Sequence, residues 1–354
     1  MHRDSLSVEA LDSYDVTTAP DYVGEQPPDV YKLRDAGYLD EYEAIWGRKW
    51  GASGIGKLRE VALVRPDAYE AHPLWTSHPE FFLLRYNSKL DVDRLIENHA
   101  EYAQLLESHG VKIQWMDFKN TQGAYGPMRK LFVCEEVRVV RGGAIIPRFG
   151  HASYKRGLER EFQRFMSEIG CPILHSVHGK GVMEVAPMMV AMAEDVWIAG
   201  KSCGANDDGI EQVLSVMTRS GAKEVHVMEL PTLYQTFEAG GEFHVDMVVS
   251  PVDHKKAIIY PDNLPWDTFC WLRDKGFELI EVPRSEQRYC PANLILLEPG
   301  KVIMTSYAEK TIERVRAAGV EVIPFDSSGI MQGGTNGMKC ITMELLRDEG
   351  PGLD

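Results

Sequence analysis

Apolar positions recur along the chain in two alternating rhythms. Five stretches carry them at helical spacing, and each stretch stops at a glycine before a short run of apolar residues. They read ENHAEYAQLLESHG-VKIQWM, LEREFQRFMSEIG-CPILHS, IEQVLSVMTRSG-AKEVHVM, WDTFCWLRDKG-FELIEV and TIERVRAAG-VEVIPF. A glycine behind the last helical turn predicts a left-handed C-terminal cap. The runs behind the glycines are rich in Val and Ile, which predicts buried strands. Gly110, Gly170, Gly221, Gly276 and Gly319 stand 60, 51, 55 and 43 residues apart. Such a period indicates one supersecondary unit used repeatedly.

Apolar hairpins lie between these units. EEVRVVRGGAIIPR turns at Gly142-Gly143, VAPMMVAMAEDVWIAG near Ala193-Glu194-Asp195, HVDMVVSPVDHKKAIIY near Asp253, and ANLILLEPGKVIMTS at Pro299-Gly300. A fifth hairpin is missing from the middle of the chain. Its halves are assigned to KLREVALVRP near the start and KCITMELLR near the end. Pairing them would close a ring and remove open sheet edges. The expected fold class is therefore α/β: a five-module, pseudo-fivefold α/β propeller, one domain closed by its N- and C-terminal strands. Residues 51–354 form that domain. Residues 1–50 include the polar, proline-bearing VTTAPDYVGEQPPDVYKL and are expected to be a wrapping arm.

Composition narrows the partners. The 354 residues include 38 basic and 53 acidic side chains, a net charge of −15, which disfavours nucleic acid and suits a small cationic ligand. No run approaches the roughly 18 to 20 apolar residues of a membrane span. The opening MHRDSLSVEALDSYD carries acids and no apolar core, unlike a secretory signal. The six cysteines show neither a CxxC pair nor zinc-ligand spacing, and read as reduced thiols of a cytoplasmic protein. GASGIGK at 51–57 is close to a phosphate-binding loop. It is discarded because Leu58 stands where a magnesium-binding hydroxyl is needed, and because a strand follows it instead of preceding it.

Candidate chemistry sits where the hairpins begin. Glu135, Glu184, His244 with Asp246, Asn293 and Cys340 fall at comparable points of the repeat. In a closed ring such points face one axis, so a thiol, an imidazole and several carboxylates would converge on one cleft. Each also has a plainer reading. A cysteine is more often a small core residue. Glu184, between Met183 and Val185, needs a partner, and an arginine would serve. His244 and Asp246, two apart on a strand, would point to one face. Glu135 and Glu136 read equally well as a solvated strand end.

These segments resemble the guanidino-modifying superfamily: arginine deiminases, dimethylarginine dimethylaminohydrolases and amidinotransferases. The matching pieces are FVCEE at 132–136, GVMEVAP at 181–187, SCGANDDGIEQ at 202–212, FHVD at 243–246 and GGTNGMKCIT at 333–342, in the family's order, across roughly residues 50 to 347. The HxD pair and the late cysteine behind a glycine-rich loop are the specific parts. The resemblance implies a pentein-like propeller in which Cys340 is the nucleophile and His244 the general acid and base. Glu184 completes the catalytic group, and Glu135 and Asp246 bind the planar cation. It implies no metal and no organic cofactor. The expected function is hydrolysis of a guanidino compound through an amidino-thioether, releasing ammonia or an amine and a ureido product.

The chain also departs from the family. Cys134-Glu135 stands where hydrolases of the family have an arginine–aspartate pair. EVAP replaces an EGGD-like element, so Glu184 remains and Pro187 takes the last place. Gly204, in SCGAN, stands where an arginine would hold the substrate's α-carboxylate. Lys155 or Arg156 would have to compensate, so a substrate other than free arginine is expected. The alternative activity is amidino transfer to an amine, favoured by Gly204 and by an acid at Glu344. A non-catalytic binding protein of the same fold is a third reading. The expected partner is a small guanidino substrate, with neither nucleic acid nor membrane; the oligomeric state is open, a homo-oligomer included.

Overall fold

The computed structural model describes residues 36–66, 91–117, 136–150, 157–231, 244–331 and 337–353, with the isolated positions 15, 17, 22, 24 and 131. Two compact units are present, Met1–Arg48 and Lys49–Asp354. In the first, the helix α1 (Tyr38–Trp46) ends at Gly47 in a left-handed cap, and Tyr38 stacks on Tyr42.

The second unit repeats one pattern. It begins with β1 (Leu58–Val64), α2 (Val92–Ser108) and β2 (Lys112–Met116). Next come β3 (Arg138–Val140), β4 (Gly143–Ile146), α3 (Glu159–Glu168) and β5 (Ile173–Ser176). The third set is β6 (Met189–Ala191), β7 (Val196–Lys201), α4 (Asp207–Arg219) and β8 (Glu224–Glu229). The fourth is β9 (Val249–Asp253), β10 (Lys256–Ile259), α5 (Trp266–Asp274) and β11 (Glu278–Glu281). The last is β12 (Ile295–Glu298), β13 (Lys301–Thr305), α6 (Glu309–Ala317) and β14 (Glu321–Phe325), followed by β15 (Met343–Arg347).

These strands form five three-stranded sheets, with the orders β15-β1-β2, β3-β4-β5, β6-β7-β8, β9-β10-β11 and β12-β13-β14. In each, the middle strand runs antiparallel to its hairpin partner and parallel to the strand behind the helix. The antiparallel partner of β1 is β15, with Val61 opposite Glu344 and Ala62 opposite Met343. The five glycines behind α2 to α6 all have positive φ, from 75° at Gly170 to 100° at Gly221. This is the conformation that ends a helix and releases the chain into a strand at no Cβ cost.

One expectation fails in an instructive way. The strands behind the glycines are not the buried ones: β5 and β11 are largely exposed or half-exposed, whereas β4 and β7 are almost wholly buried. The third strand lies at the outer edge of its sheet, with only one paired neighbour. Branched residues suit it because they fit a pleated, half-covered surface. The core lies under the hairpins and the inner helix faces, where Trp197, Met188, Ile198, Val213 and Met217 pack together. The glycines of the discarded phosphate-loop sequence have a packing role. A Cβ on Gly54 would sit 2.1 Å from Glu194 Oε2, and one on Gly56 2.0 Å from the Asp348 carbonyl.

Neighbouring sheets touch through their hairpin strands. β15 contacts β3, β6 contacts β9, and β9 contacts β12. Buried arginines supply the other links. Arg138, on β3, donates to the carbonyls of Ala186 and Met189 at 2.6 and 2.7 Å. Arg347, on β15, donates to the carbonyls of Gly56 and Leu296, both at 2.8 Å. Glu344 lies between the two arginines. It accepts from Arg347 at 2.7 and 3.1 Å and stands 3.6 Å from Arg138. Burial disfavours its charged form, but Arg347, through charge and hydrogen bonds, and then Arg138 outweigh burial and hold the carboxyl at about 2. No helix among the described residues is long and apolar enough to cross a membrane.

Replacing Glu344 by Gln leaves two buried guanidinium groups without their anion and is expected to cost about 3 kcal/mol at neutral pH. The folded-state pKa lies below the unfolded value, so this contribution is present above about pH 4.5 and is lost as pH falls towards 2. Urea unfolding of both proteins at pH 7 and pH 3 checks this. The difference should shrink to less than about half at the lower pH; an equal difference at both would reject the ion-pair account.

Candidate active site

The hairpin strands begin in the interior, so the residues leading into them are buried even where they are polar. Glu184, Asp246, Asn293 and Cys340 all occupy such positions and are all buried.

Glu184 precedes a single helical turn, Val185–Met188, that opens into β6. Its backbone N–H donates to the carbonyl of Gly204 at 2.9 Å, and the preceding Met183 pairs with Arg148 through backbone bonds of 3.0 and 3.1 Å. The side chain is thereby aimed inward, where Oε2 lies 3.0 Å from His244 Nε2. A carboxylate wholly removed from water needs such a partner. Among the described residues, His244 is a partner of this oxygen.

His244 and Asp246 do not lie on a strand. His244 is extended, but Val245–Met247 form a 3-10 turn, and β9 starts only at Val249. The two side chains consequently serve different neighbours instead of sharing one strand face. His244 meets Glu184, whereas Asp246 Oδ2 accepts from Asn293 Nδ2 at 3.1 Å. The other amide atom, Asn293 Oδ1, accepts from the backbone N–H of Cys340 at 3.2 Å. Cys340 sits in a second 3-10 turn, Lys339–Ile341, leading into β15. Thr342 Oγ1 donates to the Met338 carbonyl at 2.8 Å and lies 2.7 Å from the Tyr102 hydroxyl, which fixes the far side of that turn.

Two polar strings result: Glu184 with His244, and Asp246 through Asn293 to Cys340. They are joined at the turn that carries both His244 and Asp246. The buried Oδ1 of Asp246 has no hydrogen-bond partner among the described residues. Chemically it can accept one further N–H or O–H.

Glu135 and Lys155 lie outside the described residues, as do Cys134 and Arg156. Glu136 is fully buried, which contradicts its reading as part of a solvated strand end. It stands two residues before β3, as Asn293 stands two before β12. Glu344 is likewise corrected. Its carboxylate is engaged by Arg347 and Arg138, so it no longer argues for an amine-acceptor site.

A small cavity is lined by Arg138, Ser250, Lys339, Glu344 and Arg347 with apolar neighbours, but by none of Glu184, His244, Asp246 and Cys340. The described cysteines, Cys171, Cys203, Cys270, Cys290 and Cys340, form no disulfide with one another. Among the described residues no group of three or more His, Cys, Asp or Glu could hold a metal ion.

The arginine deiminase family profile matches residues 266–347. Over 326 residues the chain is 31% identical to a 2-nitroimidazole nitrohydrolase of Mycobacterium sp. (strain JS330), covering 88% of this chain and 85% of that protein. Among solved structures, a dimethylarginine dimethylaminohydrolase from Pseudomonas aeruginosa complexed with citrulline matches with a TM-score of 0.61. It is 20% identical and covers 81% of this chain and 99% of that one. An amidinotransferase from Microseira wollei, of the saxitoxin biosynthetic pathway, matches with a TM-score of 0.63 and 14% identity, over 86% of this chain and 98% of that one. The solved structures share the mixed α/β fold with its small sheets, and the full-length relative shows the family: the chain belongs to the guanidino-modifying superfamily of arginine deiminases, dimethylarginine dimethylaminohydrolases and amidinotransferases.

Proposed function

We propose that this protein is a cysteine-dependent hydrolase acting on a guanidino carbon, and that its five sheets surround one axis with the polar strand mouths facing a common cleft. The observation that carries the reading is the joined pair of strings, Glu184–His244 and Asp246–Asn293–Cys340. The contacts between successive hairpin strands support the ring.

Asp246 Oδ1 takes an N–H of the planar cation, with Glu135 as a second carboxylate. The Cys340 thiolate adds to the guanidinium carbon, forming the C–S bond. His244 passes a proton to the departing nitrogen as the C–N bond breaks. With the carboxylate of Glu184 on Nε2, that proton moves through Nδ1. Water then gives a proton to His244 and adds to the amidino-thioether. The C–S bond breaks, the thiolate returns, and the product is a ureido compound. Atoms balance as guanidinium plus water giving the ureido product plus ammonium or alkylammonium.

A second leaving group fits the same carbon. In 2-nitroimidazole, which the Mycobacterium relative's name gives as its substrate, the nitro-bearing carbon is also bonded to two nitrogens. The same addition and water steps would release nitrite and leave a cyclic urea. That substrate has no carboxylate, which agrees with Gly204. This glycine lies against the Glu184 backbone and offers no cationic fork there. A buried carboxylate without such a partner would cost several kcal/mol. A substrate that has an α-carboxylate would need Lys155.

Cys340→Ala should abolish turnover with little loss of stability. A panel of arginine, its decarboxylated analogue, shorter guanidino acids and 2-nitroimidazole, with and without amine acceptors, reads ammonia, amine, nitrite and ureido product. Intact-mass analysis should trap substrate carbon on Cys340. Substantial activity in Cys340→Ala rejects the nucleophile, and turnover that requires an amine acceptor reassigns the enzyme as a transferase. Strong preference for arginine, unchanged in Lys155→Ala, would overturn the specificity argument. Glu184→Gln should lower kcat about 10²-fold with KM nearly unchanged, and an undiminished rate would remove Glu184 from catalysis.

A further inference from the structure

We propose that Asn293 is a positioning residue, whose single amide sets the nucleophile's turn and the substrate-binding carboxylate in one register. The inference rests on the proposed roles of Cys340 and Asp246.

The amide cannot be reversed. An ionised carboxylate only accepts and a backbone N–H only donates, so Nδ2 must face Asp246 and Oδ1 must face Cys340. Its place is tightly bounded. Asn293 is 2% exposed, and its backbone N–H donates to the Cys290 carbonyl at 3.0 Å, in a turn where Cys290 has φ of 51°. Gly337 presses on the other side: a Cβ there would lie 2.5 Å from Asn293 Oδ1 and 2.7 Å from its carbonyl oxygen. A longer side chain at 293, or any side chain at 337, would push the amide off both partners.

Two consequences follow. By engaging Oδ2, Asn293 orients Asp246 so that Oδ1 is the oxygen left for a ligand N–H. By accepting from the Cys340 N–H, it fixes the near side of a turn whose far side is fixed by Thr342 and Tyr102. Asn293 itself need touch no substrate.

The test compares Asn293→Ala and Asn293→Asp with the wild type. Misplacing a nucleophile by about an ångström lowers kcat/KM about 10²-fold, which is expected for both variants. Asn293→Asp also sets a second carboxylate against Asp246, so the acid limb of kcat/KM should rise by about one pH unit or more, as for paired carboxylates sharing a proton. A structural role alone would lower the melting temperature without moving that limb. A wild-type acid limb in a folded Asn293→Asp protein overturns the proposal, as does a wild-type rate in folded Asn293→Ala. If Asn293→Asp does not fold, the kcat against KM split of Asn293→Ala decides, the fall lying mainly in kcat. A second readout needs no substrate: the rate of iodoacetamide alkylation of Cys340 against pH, followed by peptide mass. Both variants should shift that profile from the wild type, whereas superimposable profiles overturn the proposal even if no compound in the panel is turned over. Absence of wild-type turnover with shifted profiles would instead count against the proposed function alone.

Discussion

Ionised carboxylates removed from water set the terms for this molecule. Leaving one unpaired costs several kcal/mol, so each buried acid must find a cation or a set of donors. Glu344 finds two arginines and is held ionised to about pH 2; its demand is met in full within the protein. Asp246 receives one amide donor on Oδ2, and its Oδ1 receives none among the described residues. The same residue chemistry thus gives a structural strut in one place and a half-satisfied acceptor in the other. The difference lies in how many fixed donors surround each carboxylate.

That half-satisfied acceptor follows from how the repeat is built. Each module sends its first hairpin strand into the interior and its third strand to the outer edge. The lead-in to the first strand is a point where polar side chains are buried, as at Glu184, Asp246 and Asn293. Such points lead into different sheets, and the residues they carry are far apart in sequence. Asn293 Nδ2 reaches Asp246, 47 residues away, and its Oδ1 reaches Cys340, another 47 residues on. The hydrogen bonds that join these residues thus cross from one sheet's lead-in to another's.

Much of this was legible in the residues. The helix–glycine–strand period located five helices and five left-handed glycines, because a C-terminal cap has a strict backbone requirement that few residues other than glycine meet. Hairpin turns were legible for a similar reason. Burial of the third strands was misjudged, since a branched apolar run reads alike at an edge and in a core. The candidate site residues were chosen by analogy of position and by family resemblance, and the structure joins Glu184 to His244 and Asp246 through Asn293 to Cys340. His244-Val245-Asp246 was read as a strand because spacing alone cannot distinguish two residues on a pleat from two residues on a 3-10 turn. Glu136 reads as a solvated strand end beside Glu135, whereas the structure buries it, because two adjacent acids give no sign of which one faces inward.

The two polar strings also explain why fold similarity and substrate identity separate in this chain. On the proposed mechanism, the strings would hold the planar N–C–N unit and the groups that move protons to and from it. Nothing in them touches the remainder of a substrate. That remainder would meet the segment around Gly204, whose carbonyl accepts from the Glu184 N–H and whose own N–H bonds to Ser202 Oγ at 3.1 Å. A backbone bonded in this way to the Glu184 N–H and the Ser202 hydroxyl leaves the glycine little freedom to retreat, and its missing side chain offers no charge to a carboxylate-bearing ligand. One scaffold can therefore keep the reacting carbon in register and change its substrate by substitutions in a loop that does not take part in the chemistry.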